Sequence, residues 1–365
     1  MPIHPPAADH LARILRPVLC ALKIGRARPC LGDECGSRGS VDAQVRGAEM
    51  AIIDFLGIKA RNLKALGEVA QGFDQIRPMN IIIGRNNTGK TALLDAVAFA
   101  HRPSDHPDLG HRDKSPTVEL AFNVRGELAK QLRELPSIHK YRMTFSTCFE
   151  NRLVTWRADA RSDEGLTDTI APETYNDVNA NGMRREIRSH TCDVFRDMKL
   201  IRLSADRDIK PEKRPAAFPA ITQPDLSHRG DGATAIMTYL LTNAVVGNVS
   251  HSYRRLVEAT VLEELNQICG LDGGFKRIHA LHTSEEMWEI FLDDKRGTSV
   301  PISRMGSGVK TILLVLLALL VYPVVFYKMS LDKVIFLFEE LENNLHPAVQ
   351  KRLFRYLTFP TECRP

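Results

Sequence analysis

The octapeptide at residues 84–91 constrains this chain of 365 residues more than any other feature. Its sequence, Gly-Arg-Asn-Asn-Thr-Gly-Lys-Thr, fits the G-x-x-x-x-G-K-[ST] phosphate loop at every fixed position. The apolar, β-branched run at residues 79–83 predicts a strand before the loop, and residues 91–98 have the spacing of a helix after it. In such a loop, backbone N–H groups and the positive end of the helix dipole surround phosphate groups. The motif and its context therefore predict a nucleoside triphosphate site.

The composition is that of a soluble globular protein with one large or two ordinary domains, with 44% hydrophobic and 25% charged residues. The net charge of +5 permits contact with nucleic acid without arguing for it. The longest apolar run, residues 312–326, is shorter than the roughly 20 residues that span a bilayer, and it contains Pro323. We therefore predict a buried helix there, no membrane partner and a cytoplasmic protein.

Cysteine and histidine residues offer two weak candidates for a metal site. The seven cysteines are odd in number and scattered, which is typical of reduced thiols in the cytosol. Cys30 and Cys35 could supply half of a zinc site, but no second pair follows at ligand spacing. The loop at residues 101–114 mixes three histidines with aspartates, as surface loops do by default. We favour ordinary thiols and an ordinary loop over a metal at either place.

Residues 1–49 differ from the rest of the chain, because they are rich in proline and hold three of the seven cysteines. Their arginine-rich start would suit an organelle transit peptide, but we favour a disordered or non-native leader with Met50 as the initiator. We assign residues 50–358 to one α/β domain, with an insertion at roughly 104–300, and residues 359–365 to an irregular tail.

The patterning within this domain predicts alternating strands and helices, and an irregular polar stretch at residues 159–195. Strands are predicted at residues 51–58, 117–124, 141–147, 153–156, 198–203, 275–281 and 287–292. Helices are predicted at residues 126–135, 233–243, 253–267 and 349–357.

A second motif lies where the apolar run at residues 334–338 ends in Glu339 and Glu340. A buried parallel strand of this kind delivers its acids to the carboxyl edge of the sheet. Beside a phosphate loop, one acid supports Mg²⁺ and the next orients or deprotonates the attacking water. A charged turn after a core strand is the alternative, but the phosphate loop favours the functional interpretation.

A third motif, Ser-Arg-Met-Gly-Ser-Gly-Val-Lys at residues 303–310, precedes the apolar helix. Such a helix start presents free N–H groups to an anion, although Gly-Ser-Gly alone is more often a turn. The order of phosphate loop, Ser/Gly-rich helix start and the block Glu-Glu-Leu-Glu-Asn-Asn-Leu-His-Pro at residues 339–347 resembles the ABC-type ATPase heads. RecF, the structural-maintenance-of-chromosomes (SMC) proteins and above all the OLD (overcoming lysogenization defect) family of ATPase–TOPRIM nucleases are the most similar. OLD proteins typically have proline where this chain has Leu341.

This resemblance covers roughly residues 50–358 and is specific at its two ends. It implies an α/β fold, an ABC-type P-loop ATPase head with a mixed sheet and a helical/β insertion. It also implies the residues that would bind ATP and Mg²⁺. The ATP-binding residues would be Gly84, Asn86, Asn87, Thr88, Gly89, Lys90 and Thr91, together with Ser307 and Gly308. Thr91 and Glu339 would bind Mg²⁺, and Glu340 would be the catalytic glutamate.

The resemblance also implies an ATP-dependent homodimer. In ABC-type heads, two ATP molecules lie between two subunits, and the helix start of each subunit caps the γ-phosphate bound by the other. We name residues 305–309 the signature segment and residues 343–346 the D-loop, which would face the partner subunit. The signature segment, Met-Gly-Ser-Gly-Val, departs from the Leu-Ser-Gly-Gly-Gln that ABC-type heads favour.

ABC-type heads continue with a further parallel strand that ends in a switch histidine, and OLD proteins continue with a TOPRIM domain. Neither follows residue 358 here, so we expect a fold incomplete at its C-terminus, a truncated or frameshifted relative with poor stability and weak hydrolysis. The predicted function is an ATP hydrolase head for DNA processing, in repair or anti-phage defence, with direct DNA contact left open. The alternative is a non-hydrolysing, ATP-dependent switch that acts on a separate nuclease or effector subunit.

Overall fold

The structure is a computed structural model. It describes residues 18–23, 55–74, 76–77, 79–85, 88–102, 116–159, 166–168, 178–213, 225–242, 254–270, 274–284, 286–327, 329 and 331–358. The chain divides into two compact units, which we describe separately. Unit 1 comprises Met1–Ala21, Pro78–Ile81 and Lys199–Pro365, and unit 2 comprises Leu22–Arg77 and Ile82–Met198.

Strands and helices are mixed along the described chain, which confirms the predicted α/β class. The strands are β1 (Val18–Lys23), β2 (Phe55–Arg61), β3 (Gln71–Phe73), β4 (Met79–Gly84), β5 (Thr117–Asn123), β6 (Leu153–Asp159), β7 (Leu166–Asp168), β8 (Lys199–Leu203), β9 (Glu212–Lys213), β10 (Phe275–Ser284), β11 (Met287–Asp294), β12 (Ser299–Pro301) and β13 (Val334–Glu339). The helices are α1 (Lys90–His101), α2 (Gly126–Glu134), α3 (Pro136–Lys140), α4 (Arg142–Cys148), α5 (Val178–Asp197), α6 (Ala233–Thr242), α7 (Leu262–Cys269), α8 (Ser307–Leu316) and α9 (Pro347–Thr358).

Unit 2 contains an antiparallel sheet with the strand order β3-β2-β5-β6-β7. Alternate residues of β5, including Leu120 and Phe122, are fully buried, which is the period expected when one sheet face packs on a core. Helix α1 packs against β2 and β5. Trp156 of β6 is also fully buried, and its indole N–H donates to the hydroxyl of Thr191 on α5 at 2.9 Å.

Unit 1 is built on a sheet with the strand order β4-β1-β13-β8. Strand β13 is buried at every residue and pairs in parallel with β1 and with β8. Burial on both faces explains why its sequence is almost uniformly apolar rather than alternating. A second, antiparallel sheet has the order β10-β11-β12, with β9 beside β11, and α6 packs on β10 and β11.

The apolar run near the C-terminus forms the central helix of unit 1. Helix α8 continues as a π-helical stretch, Leu317–Phe326, which contains Pro323. Because proline has no N–H to donate, a wider helical turn accommodates it at this point. Within the described residues, Ser307–Phe326 is the one helix long and apolar enough to cross a membrane, and 78% of its apolar stretch is buried inside the protein.

Two predicted elements are wrong. The strand predicted at residues 141–147 is helix α4, where Phe145 is fully buried and stacks on Phe149 one helical turn later. The stretch predicted as irregular at residues 159–195 contains all but the last two residues of the 20-residue helix α5. Met183, Ile187, Thr191 and Phe195, four residues apart, form its buried stripe. Polar residues between them masked this helical period in the sequence.

Strand β1 lies within residues 1–49, where we predicted a leader without order. The structure pairs its residues 18–21 with residues 336–339 of β13, while the rest of the leader lies outside the described residues. The remaining predicted strands and helices are present with shifted ends, whereas α3, β7, β9 and β12 were not predicted. The domain boundaries at residues 50 and 358, and the origin of the leader, stay predictions.

Candidate functional site

Two glycines shape the loop that follows β4. A Cβ atom at Gly84 would lie 2.5 Å from Oγ1 of Thr88, so a larger residue there would force the Thr88 side chain to shift. Gly89 has a φ of +89°, and a Cβ atom there would lie 2.5 Å from Cδ2 of Leu66. Left-handed backbone conformations favour glycine, since a Cβ atom clashes with the following carbonyl. Backbone conformation therefore favours glycine at residue 89, and the close approach of Thr88 favours it at residue 84.

The motif lysine lies inside the loop. Lys90 is only 8% exposed, and its ammonium group donates to the carbonyl oxygens of Gly84 at 2.9 Å and Arg85 at 2.8 Å. The hydroxyl of Thr88 donates to the same Arg85 carbonyl at 2.9 Å. An ammonium group has three donors, so Lys90 keeps one for a phosphate oxygen. The loop, the lysine and the first turn of α1 fit a bound triphosphate.

Thr91 is exposed on the first turn of α1, next to Lys90. Asn86 and Asn87, which we predicted to contact the phosphates, lie outside the described residues. The structure thus places Gly84, Thr88, Gly89, Lys90 and Thr91 in one loop and helix start within unit 2.

A second loop, at residues 62–67, supports the phosphate loop and was missed in the sequence. Lys64 forms an ion pair of 2.5 Å with Asp95 of α1, which is 8% exposed, and Leu66 packs against Gly89. Asn62 and Lys64 both have positive φ angles, of 54° and 48°. Asp95 was the signal in the sequence that could have predicted this support. It lies on the apolar face of the helix after the motif, and a buried carboxylate requires a partner.

The two glutamates at the end of β13 lie in unit 1 with different surroundings. Glu339 is 8% exposed, and Arg202 of β8 holds its Oε1 atom through an ion pair that includes an Nε contact of 2.9 Å. Glu340 is half-buried with a φ of +45°, and its carboxylate accepts a hydrogen bond from the side-chain amide of Asn343. Sequence reasoning predicted the glutamates but missed Arg202, which precedes Glu339 by 137 residues.

The signature segment lies against the D-loop in the same unit. A Cβ atom at Gly308 would lie 3.1 Å from Cδ2 of Leu345 and 3.3 Å from the carbonyl oxygen of Asn344, and both contacts would be tight. Ser307, the first residue of α8, is exposed. Gly308 therefore permits the close approach of two segments that the sequence separates by some 36 residues. Ser307, beside it, lies on the surface.

The Thr91 hydroxyl in unit 2 and the Glu339 carboxylate in unit 1 are each a ligand type that Mg²⁺ prefers. Among the described residues, no group of three or more His, Cys, Asp or Glu side chains could hold a metal. His101 is a structural residue in the helix α1, where its Nε2 atom lies 2.7 Å from the carbonyl oxygen of Met198. The other histidines of that loop, and Cys30 and Cys35, lie outside the described residues.

Comparison with known proteins gives one family match. Residues 255–364, which include the signature segment, both glutamates and the D-loop, match the family model described as "AAA domain, putative AbiEii toxin, Type IV TA system". This part of the chain is similar to an AAA-type P-loop ATPase domain. Such domains bind ATP with Mg²⁺ and hydrolyse it, so the match agrees with the phosphate loop further upstream. The match spans less than half of the chain, and no curated protein matches.

Among solved structures, one similar chain comes from "Crystal structure of the SmcHead bound to the C-winged helix domain of ScpA". The two are 12% identical, and the similarity covers 82% of this chain and 91% of that chain with a TM-score of 0.33. A likeness at this TM-score carries no argument about function.

Proposed function

We propose that this protein is a cytoplasmic ATP-hydrolysing head of the OLD/RecF type, which dimerises on ATP and serves DNA repair or defence against phage. The observation that carries the proposal is the phosphate loop, in which a nearly buried Lys90 donates to two loop carbonyls, beside the two fixed glycines of the motif. This loop supports nucleotide binding directly. The DNA-processing role is supported by the resemblance of the motifs and is a weaker inference.

Each residue has a defined task in this proposal. Lys90 would exchange the carbonyls of its own loop for phosphate oxygens of ATP. When bound, Mg²⁺ neutralises charge on the β- and γ-phosphates, and Thr91 and Glu339 are the residues that would hold it. Glu340 would orient the attacking water and accept its proton. In a homodimer, the exposed Ser307 would approach the γ-phosphate bound to the partner subunit.

The name of the matching family, which refers to a toxin and a Type IV TA system, favours defence against mobile elements over repair. The exposed start of α8 and the exposed D-loop residues Asn344 and His346 support a surface for a second subunit. We propose no residue for contact with DNA. Lys213, in the basic stretch at residues 210–214, forms an exposed ion pair with Glu286.

The test is magnesium-dependent ATP binding and hydrolysis by the full chain, beside two variants. Lys90→Ala should lose ATP binding, and Glu340→Gln should retain binding but lose turnover, because only the second residue acts on the water. Lys213→Ala, which changes an exposed ion pair, is the matched control and should behave as the unchanged protein. ATP binding that survives Lys90→Ala unchanged would contradict the proposal.

The second candidate is a switch that binds ATP and dimerises without hydrolysis. The observation that favours it is the state of the two glutamates, since Arg202 holds Glu339 and Asn343 holds Glu340. Sedimentation of the protein with ATP and with a non-hydrolysable analogue separates the candidates. A switch forms equally stable dimers with both ligands, whereas dimers of a hydrolysing head dissociate with ATP as turnover proceeds.

A further inference from the structure

The loop that follows β8, residues 204–209, holds the backbone at the end of β13. The guanidinium group of Arg207 donates from Nη1 to the carbonyl oxygens of Ser204 and Glu339, both at 2.6 Å, and from Nη2 to the carbonyl oxygen of Glu340 at 3.0 Å. The two glutamate carbonyls are those on either side of the Glu340 Cα atom. Arg207 therefore hydrogen-bonds to both peptide groups whose rotation sets the φ and ψ angles of Glu340.

Glu340 is the residue whose backbone needs such a restraint. Its φ of +45° lies in the left-handed region, which residues other than glycine occupy only where the surroundings impose it. Asn343 adds a local restraint, since its backbone N–H donates to the Glu340 carbonyl at 3.0 Å. A planar guanidinium group reaches two carbonyls at once, whereas an ammonium group acts from a single point. The direction of the Glu340 side chain thus depends on an arginine from another part of the chain.

The next residue in the loop connects to the signature segment's helix. The Lys310 ammonium group of α8 donates a hydrogen bond to Oδ1 of Asp208 at 2.8 Å and forms an ion pair with it. The Lys310 side chain is only 13% exposed. A Cβ atom at Gly230, where φ is +100°, would lie 2.3 Å from the Asp208 carbonyl oxygen and 3.0 Å from Leu314 of α8. The loop is therefore packed closely beside α8, with little room to shift independently of the helix.

We propose that Arg207 is a positioning residue for Glu340, and that the neighbouring residues Arg207 and Asp208 couple the start of α8 to that glutamate within one subunit. The proposal rests on the proposed function, in which Glu340 acts on water and the start of α8 meets the nucleotide of the partner subunit. A shift of α8 on dimerisation would pull on Asp208 through Lys310 and change the backbone at Glu340 through Arg207. Turnover would thereby depend on engagement of the partner.

The kinetic test compares Arg207→Ala and Arg207→Lys with Arg229→Ala, an exposed arginine of the same region that pairs with Asp206. Both Arg207 variants should lower kcat by about tenfold or more and change KM for ATP by less than about threefold, because the interaction acts on the catalytic group rather than on ATP. Arg229→Ala should leave both constants unchanged. An Arg207→Ala variant with unchanged kcat would overturn the proposal, as would one that lost only ATP affinity.

The coupling test combines Arg207→Ala with Lys310→Met. Lys310→Met alone should lower kcat, and it should add little in the Arg207→Ala background if both residues act through the same loop. Effects that multiply independently would overturn the coupling.

A third measurement does not require activity. Hydrogen exchange of the peptide covering residues 340–345 reports the Asn343 and Leu345 amides, which donate to the carbonyls of Glu340 and Glu342. Arg207→Ala should speed this exchange by about fivefold or more, and Arg229→Ala should not. If the unchanged protein shows no turnover but exchange responds as expected, the proposed function fails and the positioning role stands. Unaltered exchange in Arg207→Ala overturns the positioning role whatever the activity.

Discussion

Replacing Gly89 by alanine should destabilise unit 2 more than its small size suggests. Alanine at residue 89 faces two obstacles. The backbone φ there is +89°, and the new Cβ atom would lie 2.5 Å from Cδ2 of Leu66, which is itself only 5% exposed. A left-handed backbone costs a residue with a side chain roughly 1–2 kcal/mol, and extra atoms forced into a packed core typically cost about 1–3 kcal/mol. We therefore expect the free energy of unfolding to fall by about 2–5 kcal/mol.

Two other glycines separate these contributions. Gly297 has a φ of +82°, and a Cβ atom added there would have nothing within 4 Å, so Gly297→Ala should show the backbone cost alone, about 1–2 kcal/mol. Gly67 also has open space and no positive φ, so Gly67→Ala should change stability by less than about 0.5 kcal/mol. The three variants thus form a series with neither obstacle, one obstacle and both.

Urea unfolding followed by tryptophan fluorescence measures the series. The chain has two tryptophans, and Trp156 lies in unit 2 while Trp288 lies in unit 1. Trp288→Phe leaves a reporter for Gly89 and Gly67, and Trp156→Phe leaves one for Gly297. A Gly89→Ala variant no less stable than Gly297→Ala would refute the argument from Leu66. So would a Gly89→Ala cost that is unchanged when Leu66→Ala removes the contacting atoms.

Three further predictions concern single groups in unit 1. Arg202→Met should lower the free energy of unfolding by about 3–5 kcal/mol by leaving the buried Glu339 charge unpaired, and adding Glu339→Gln should recover most of that loss in urea unfolding. Burial raises the pKa of Glu212, so its protonated form favours the folded state. This stabilisation is complete below the unfolded-state pKa and is lost as pH rises through the folded-state pKa. The stability of the unchanged protein relative to Glu212→Gln should therefore decrease from about pH 4 upward, and a constant difference would contradict this. Burial raises the pKa of Cys269 to about 11, so iodoacetamide at about pH 8 should label this thiol only after unfolding, as mass spectrometry of the peptide would show.

Local patterns in the sequence predicted the phosphate loop and β13 because their physical causes are local. A glycine loop between a strand and a helix is defined by consecutive residues, and a strand buried on both faces is apolar throughout. The helix α4 was predicted as a strand because its polar and apolar residues alternate, whereas Phe145 is held by tertiary packing. Arg202 and Arg207 could not be predicted, since they meet Glu339 across 137 and 132 residues of chain.

The surroundings of the two glutamates also differ in a way that bears on their proposed roles. The Glu339 side chain is held by Arg202 and its carbonyl by Arg207, so both its charge and its backbone are fixed from the neighbouring strand and loop. At Glu340, Arg207 fixes the backbone, and the contact that the described residues give its carboxylate is local, from Asn343 three residues later. A group that supports a metal benefits from a fixed position, whereas a group that accepts a proton from water must be able to adjust its carboxylate. These different restraints motivate the proposed roles of Glu339 at Mg²⁺ and of Glu340 as the catalytic base, and both roles stay predictions.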